Sequence, residues 1–445
     1  MKEAPVEPRC RELAIAAGRD PDERLEKDGT SRGVPLWTTF RGEVSAERSQ
    51  AKLAASDILS PIEPQAARYQ DAPLFIYGQH DDATIAQMRT CMQTGNVVAG
   101  AICADGHLGY AQPVGGVIAY EDQISISGVG FDIGCGNMAV RLDVNYTDIE
   151  ARLDDIIHDI STSIAFGVGR VNNEPVEHDL FDDQEAWRDA DMGDYKTKAR
   201  AQLGTVGSGN HYVDVLEDEC GYIWIGVHFG SRGLGHTSAT RYLKAAGGKE
   251  GIHVAPAVVD VKSEIGCRYI AAMELAGRYA YAGREWVVER VRKIIGGSVM
   301  DMVHNHHNYA WQEEHFGRNT WVVRKGATPC WPGQRGFVGG SMGDPAVILH
   351  GMHGPQAAHT LHSTVHGSGR LFGRQEAKRR FTRERMNEWL AAGGVRLIGG
   401  DIDESPMAYR RLSEVLAYHE IDIEFVLQPR AVVMAGSGEF DPFKD

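Results

Sequence analysis

Strand-like and helix-like segments alternate from about residue 72 onward, which predicts an α/β (α+β) fold built as a single large, interwoven domain. Three observations carry that expectation. The runs APLFIYG, GYIWIGVHFGS and TWVVRKGAT are short, apolar and closed by glycine, the pattern of buried strands entering tight turns. DDATIAQMRTCMQTG begins on an aspartate cap, and helical spacing recurs at 149–164, 240–246, 256–296 and 375–392. No linker or repeat divides the body, and its glycines cluster in motifs far apart in sequence, as loops converging on one pocket require.

Residues 1–71 are polar and irregular, and read as an N-terminal extension of short helices and loops, packed on the body or partly disordered. Residues 72–436 form the catalytic body and 437–445 a C-terminal tail. With 42% hydrophobic and 24% charged residues, the chain has the composition of a soluble globular protein. No apolar run reaches the roughly 20 residues needed to cross a bilayer, and no apolar signal segment opens the chain, so a cytoplasmic location is expected. The seven cysteines (10, 91, 103, 135, 220, 267 and 330) are scattered, odd in number and lack a CxxC pair. Reduced thiols are expected, most of them buried as small hydrophobes. The net charge of −15 opposes nucleic-acid binding only if it is spread evenly. Acid concentrates in 143–192, while Arg374, Lys378, Arg379, Arg380, Arg383 and Arg385 form a basic stretch suited to a polyanion or to a solvated helix face.

The chemistry is concentrated in short blocks. In SGVGFDIGCGNMAVRLD, Asp132 and Cys135 lie three residues apart in a glycine-rich bend, so a carboxylate and a thiolate reach one cation or share two. GSGNH supplies Asn210 and His211, IWIGVHFG supplies His228, and HNHHN supplies His307. This mixed O, S and N set suits Mn²⁺, Zn²⁺ or Fe²⁺. HGSGR differs: Gly367, Ser368 and Gly369 leave backbone N–H groups open to phosphate, and Arg370 offers a bidentate clamp. His366 opens that block, either as a nucleophile for nucleotidyl transfer or as a further metal ligand. GGSMG, with Ser341, offers a second phosphate nest or a simple tight turn.

Taken together, ADGHLGYAQPVGGV, GVGFDIGCGNMAVRL, GSGNHY, VHFGSRGLGH, HHNYAWQEEHFG, RKGA, GSMG, HGSGR and DESPMAY resemble, in order, the blocks of the RtcB family. These are GTP-dependent RNA ligases that join a 3′-phosphate or 2′,3′-cyclic phosphate to a 5′-hydroxyl. The resemblance implies two Mn²⁺ ions on Asp132, Cys135, His211, His228 and His307, with Cys135 bridging, and a covalent GMP on His366. It places Asn210, Ser341, Gly367 to Gly369, Glu404 and Tyr409 against guanylate. Arg370, Arg374, Lys378 and Arg379 then face the RNA backbone, and an activating protein is a conceivable further partner. Departures mark a divergent paralogue. Ala435 stands where the family has a lysine that reads the guanine carbonyl, Asp214 replaces a glutamate, and Asp344 adds a negative charge near the phosphate. The competing readings are a 3′-end capping enzyme, a bimetal phosphoesterase, and a non-catalytic RNA-end-binding protein.

Overall fold

The computed structural model describes residues 71–436 and, for the backbone alone, 24–27 and 30–35. The chain divides into two units, Met1–Ser60 and Pro61–Asp445. In the smaller unit β1 (Arg24–Lys27) and β2 (Thr30–Pro35) form an antiparallel pair. The remaining expectations for residues 1–70, and the tail 437–445, lie outside the described residues.

The larger unit opens with β3 (Leu74–Ile76) and the helix Asp82–Met92, where the Asp81 carboxylate accepts from Thr84 N at 2.6 Å. Next come β4 (Val97–His107), β5 (Val114–Tyr120), β6 (Gln123–Ser125), β7 (Gly136–Asn145), β8 (Tyr212–Glu217) and β9 (Tyr222–Phe229). The helix Arg232–Ala245, β10 (Val258–Asp260) and the long helix Glu264–Ile295 lead into β11 (Val299–His306), β12 (Asn308–His315) and β13 (Arg318–Lys325). The chain closes with β14 (Ala327–Pro329), β15 (Arg335–Val338), β16 (Ala346–Gly351), β17 (Ser363–Val365), two basic helices, β18 (Arg396–Ile398) and β19 (Ile421–Met434).

Two sheets hold most of these strands, one of order β12-β13-β5-β4-β3 and the other of order β11-β7-β9-β8-β19-β16-β15 with β18 beside β19, while β6 pairs with β10 and β14 with β17. The mixed architecture agrees with the α/β expectation. Three helix boundaries differ from the sequence reading. The helix expected at 240–246 starts at Arg232, because Gly233 and Gly235 mask its first turns in sequence. Residues 256–263 are not helical but hold β10 and a turn, and the long helix starts at Glu264 after its Ser263 cap. The pattern over 375–392 is two helices, Arg374–Arg380 and Arg383–Ala392, broken where extended Thr382 caps the second. Most of the described cysteines are buried, as expected: Cys91, Cys103, Cys135 and Cys330, with Cys220 and Cys267 exposed. All six are free thiols.

One buried ion pair fixes the turn that leads into β17. Arg324, fully buried on β13, donates to both oxygens of Glu313 at 2.8 and 2.9 Å, to Leu361 O at 2.8 Å and to Ser363 Oγ at 2.8 Å. Leu361 and His362 occupy left-handed conformations at φ 55° and 48°, which cost energy unless neighbours hold them. Burial opposes the charge on Glu313, but Arg324 and His315 outweigh it and lower the carboxyl to about 2. A depressed carboxyl contributes stability above its unfolded value of 4.5 and loses it as pH falls through about 2. Glu313→Gln should therefore cost on the order of 3 kcal/mol at neutral pH. In urea midpoints measured from pH 7 down to 2, the gap to wild type should close across that window; a gap constant with pH contradicts the clamp.

Candidate metal and nucleotide site

The order β11-β7-β9-β8 brings four distant sequence blocks to one edge of the larger sheet. Gly136 at the start of β7 pairs with His306 at the end of β11 and with Phe229 at the end of β9, while His228 pairs with Tyr212 at the start of β8. Cys135, His307, His228 and His211 each lie at that edge. The Asp132–Cys135 bend is stitched to the same place: His307 N donates to Cys135 O at 2.8 Å, and Gly134 N to Asn308 O at 2.8 Å. At Gly230 a Cβ would lie 2.2 Å from Asp132 Oδ1, so any larger residue would displace that carboxylate.

Cys135 Sγ is 3.3 Å from His228 Nε2 and 3.7 Å from His211 Nε2, with the three donor atoms within 4.8 Å of one another. Asp132 Oδ2 lies 3.0 Å from His211 Nε2. The His307 ring centroid is 5.0 Å from that of His228, and its buried Nδ1 has no partner. His211 Nδ1 lies 2.9 Å from Val206 O, a contact that turns Nε2 toward the cluster. Burial drives His228 and His307 well below the ordinary imidazole value, the neutral form that ligates metal. The Cys135 thiol is pushed up by burial and by Asp132. Burial works against the charge on Asp132 as well, but His211 and Arg232 hold it ionised. Convergent donors and an orphaned ligand atom fit a divalent cation, whose arrival would expel the thiol proton.

His366 follows β17 on the facing wall. Its ring centroid lies 5.0 Å from that of His307, and its Nδ1 is 2.6 Å from Oδ2 of fully buried Asp105. The same oxygen accepts from His366 N and Gly367 N at 3.0 and 3.3 Å. Burial raises the Asp105 carboxyl, yet His366 outweighs it and the carboxyl is lowered. Gly326 (φ +59°) lets the ring in, because a Cβ there would sit 3.1 Å from it.

The residues expected to hold metal, nucleotide and RNA all line one cleft of about 1340 Å³, whereas Asp344, Arg380, Arg383, Arg385 and Ala435 lie outside its lining. Their partners refine what each has to offer. Glu404 is buried among Arg370, Arg374 and Tyr409; burial opposes its charge, but Arg374 and Arg370 lower the carboxyl to about 2. Arg374 also reaches Asp403 at 3.0 Å and Lys378 reaches Asp401 at 2.6 Å, so much of the basic stretch is internally neutralised. Arg379 stands exposed at the rim. Ser341 donates to Asp344 at 3.1 Å, and Arg411 offsets the Asp344 charge. Arg430 is bound to Glu217 at 2.6 Å.

The structure adds four residues. Asp105, Arg232 and Lys325 lay inside quoted blocks (ADGH, SRGLGH, RKGA) without being singled out. Arg232 Nη1 is 3.3 Å from His211 Nδ1, and buried Lys325 lines the cleft while donating to Tyr110 O at 2.7 Å. Arg284 had no sequence signal. It is fully buried in the long helix and donates to Gly134 O and Phe229 O at 2.9 and 2.6 Å and to His304 Nε2 at 2.8 Å, bracing the Asp132–Cys135 bend from behind.

The model of the family described as tRNA-splicing ligase RtcB matches residues 86–435. The chain belongs to the RtcB family. The RNA-splicing ligase RtcB of Escherichia coli K12 is 30% identical over 370 residues, covering 75% of this chain and 88% of that protein. The tRNA-splicing ligase RtcB of Thermococcus kodakarensis is 31% identical over 436 residues, covering 77% and 90%. The RNA-splicing ligase RtcB of Mycobacterium bovis is 30% identical over 402 residues, covering 72% and 92%. Among the described residues no helix is long and apolar enough to cross a membrane.

If Cys135 is the shared RtcB ligand, Cys135→Ser should lose most of the bound metal, since serine is a far poorer ligand at neutral pH. Cys103→Ser, at a buried thiol outside the cleft, should retain it. Elemental analysis reads both; equal metal in wild type and Cys135→Ser removes the assignment.

Proposed function

We propose that this chain is an RNA ligase that joins a 3′-phosphate or 2′,3′-cyclic phosphate end to a 5′-hydroxyl end, with GTP as co-substrate and two Mn²⁺ ions as cofactors. The observation that carries this reading is the placement of His366 between Asp105 and the Cys135 cluster. Asp105 holds the Nδ1 side of the ring, which directs the Nε2 lone pair away toward the cleft. That nitrogen attacks the α-phosphorus of GTP; an N–P bond forms, the P–O bond to pyrophosphate breaks, and GMP stays on His366. The RNA 3′-phosphate then takes the GMP from His366, and the 5′-hydroxyl displaces GMP to form the phosphodiester. Asp132, Cys135, His211, His228 and His307 would hold the Mn²⁺ ions, which supply charge neutralisation at the reacting phosphate and a bound water able to open a cyclic phosphate.

The loop Gly367 to Gly369 supplies N–H groups, and the Ser368 hydroxyl is buried without a partner beside them, a cradle for phosphate oxygens. Nucleotide choice is less strict in this reading than in the family pattern. Ala435 brings no cation to the base, and Arg430 is committed to Glu217. Asp214 and Tyr212 line the cleft with Oδ1 and the hydroxyl unpartnered. Burial alone pushes the Asp214 carboxyl well up, so it presents a donor as well as an acceptor.

The protein incubated with labelled GTP or ATP and Mn²⁺ should form an acid-labile, hydroxylamine-resistant adduct that His366→Ala abolishes while metal content stays near normal. An adduct persisting in His366→Ala contradicts the mechanism, and capped ends without joined product would favour a capping enzyme. Losing one charge-assisted hydrogen bond costs about 1.5–3 kcal/mol, so GTP preference over ATP should be about ten- to a hundredfold weaker than when a lysine reads the base. Ala435→Lys should sharpen it; strong GTP selectivity unchanged by that substitution would show that the base is read elsewhere.

A further inference from the structure

Asp105 faces the His366 loop through one oxygen. Its Oδ2 alone meets His366 Nδ1, His366 N and Gly367 N, and its buried Oδ1 has no partner. The direction of the carboxylate therefore follows the backbone that carries it. That backbone is irregular. β4 pairs with β5 at Ile102↔Gly116 and next at His107↔Val114, so Cys103 to Gly106 face the single residue Gly115 across a bulge. On the other edge β3 pairs with β4 only as far as Ile102. The N–H of Ala104 thus points away from any strand, at a residue only 1% exposed. Its partner comes from 315 positions later: Ala104 N donates to His419 Nε2 at 3.1 Å. The carbonyl side of the bulge is held separately. Arg410 reaches Asp105 O and Gly106 O, each at 3.4 Å, and His80 Nδ1 lies 3.1 Å from Gly106 O.

His419 is itself held in place. Gln356, on the helix Pro355–His359, spans it: the side-chain amide donates to Tyr418 O and accepts from Glu420 N, both at 2.5 Å. The Tyr77 ring lies 6.0 Å from the imidazole, centroid to centroid. An imidazole nitrogen accepts only when it carries no proton. Burial keeps this ring neutral, lowering it to about 4 against the pull of the Asp105 charge. We infer that His419 is a positioning residue for the nucleophile: by accepting from Ala104 N it fixes the β4 bulge that aims Asp105 at His366. The contacts run from Gln356 through the Tyr418–Glu420 turn to His419, Ala104, Asp105 and His366. Every member before His366 lies outside the cleft lining, so none of them touches a nucleotide bound there. The inference rests on the ligase reading for what His366 does.

The test uses full-length, Mn²⁺-loaded protein in single turnovers with labelled GTP. It reads the rate of adduct formation at saturation and the GTP concentration that half-saturates it. His419→Leu keeps much of the volume but offers no acceptor. It should slow adduct formation on the order of ten- to a hundredfold, as a small misplacement of reacting groups does. Half-saturation and metal content should stay near wild type. His419→Gln, whose amide oxygen can accept in place of Nε2, should recover most of the rate. Gln356→Ala loosens the turn without altering the ring and should slow the step by less. If His419→Leu does not fold, Gln356→Ala decides the matter, and an unchanged rate there overturns the role. A Leu variant as fast as wild type overturns it too, as does a Gln variant as slow as Leu, or a loss seen in half-saturation and metal content instead of rate. A wild type that forms no adduct contradicts the ligase reading and takes this role with it; a wild type that forms one while the variants match it contradicts the role alone.

Discussion

The site depends on the antiparallel pairing of β11, β7, β9 and β8, because their register aligns four chain segments at a single edge. Gly136 opposite both His306 and Phe229, and His228 opposite Tyr212, leave little freedom in where Cys135, His307, His228 and His211 emerge. A one-residue slip in a strand pair would turn its side chains to the other face of the sheet and break up this cluster. The rest of the fold protects that register. Arg284 ties the ends of β9 and the Asp132–Cys135 bend to the long helix, and Asn308 bridges Gly326 and Asp132, accepting from Gly326 N at 2.7 Å.

Around this edge the charged acids are matched to a cation or a ring: Asp132 to His211, Asp105 to His366, Glu404 to Arg370 and Arg374, Glu313 to Arg324, while burial pushes the carboxyl of Asp214, which has no such match, well up. Unpaired, any of them would be expensive to bury. The Cys135–His228–His307 corner is the exception, with a buried thiol, neutral imidazoles and an orphaned nitrogen. A protein that balances its buried charges elsewhere and leaves donors converging at one point is arranged for a cation to complete the set. The same matching explains why the basic stretch after His366 contributes less free charge than its sequence suggests.

Much of this was legible in the sequence. Strands ending in glycine and the Asp81 cap marked the alternating fold, and the blocks DIGC, GNH, VHF, HHN and HGSG held chemical groups that the structure brings into one cleft. What escaped was whatever pairing decides. Arg284 reads as one more basic residue on a helix until its carbonyl partners in other segments are known. Asp105 looks like a turn residue in ADGH, although it sits inside β4 and faces a histidine some 260 positions later. The start of the helix at Arg232 was hidden by its own glycines, and the neutralisation of Arg374 and Lys378 required knowing that 401–404 folds back on them.

The central claim is that Cys135 joins two cations at the strand edge, and anomalous diffraction from crystals grown with Mn²⁺ tests it most directly. The account predicts two peaks about 3.5–4 Å apart on either side of the Cys135 sulfur, shared among Asp132, His211, His228 and His307. A single peak, or density that leaves Cys135 uncoordinated, would contradict it.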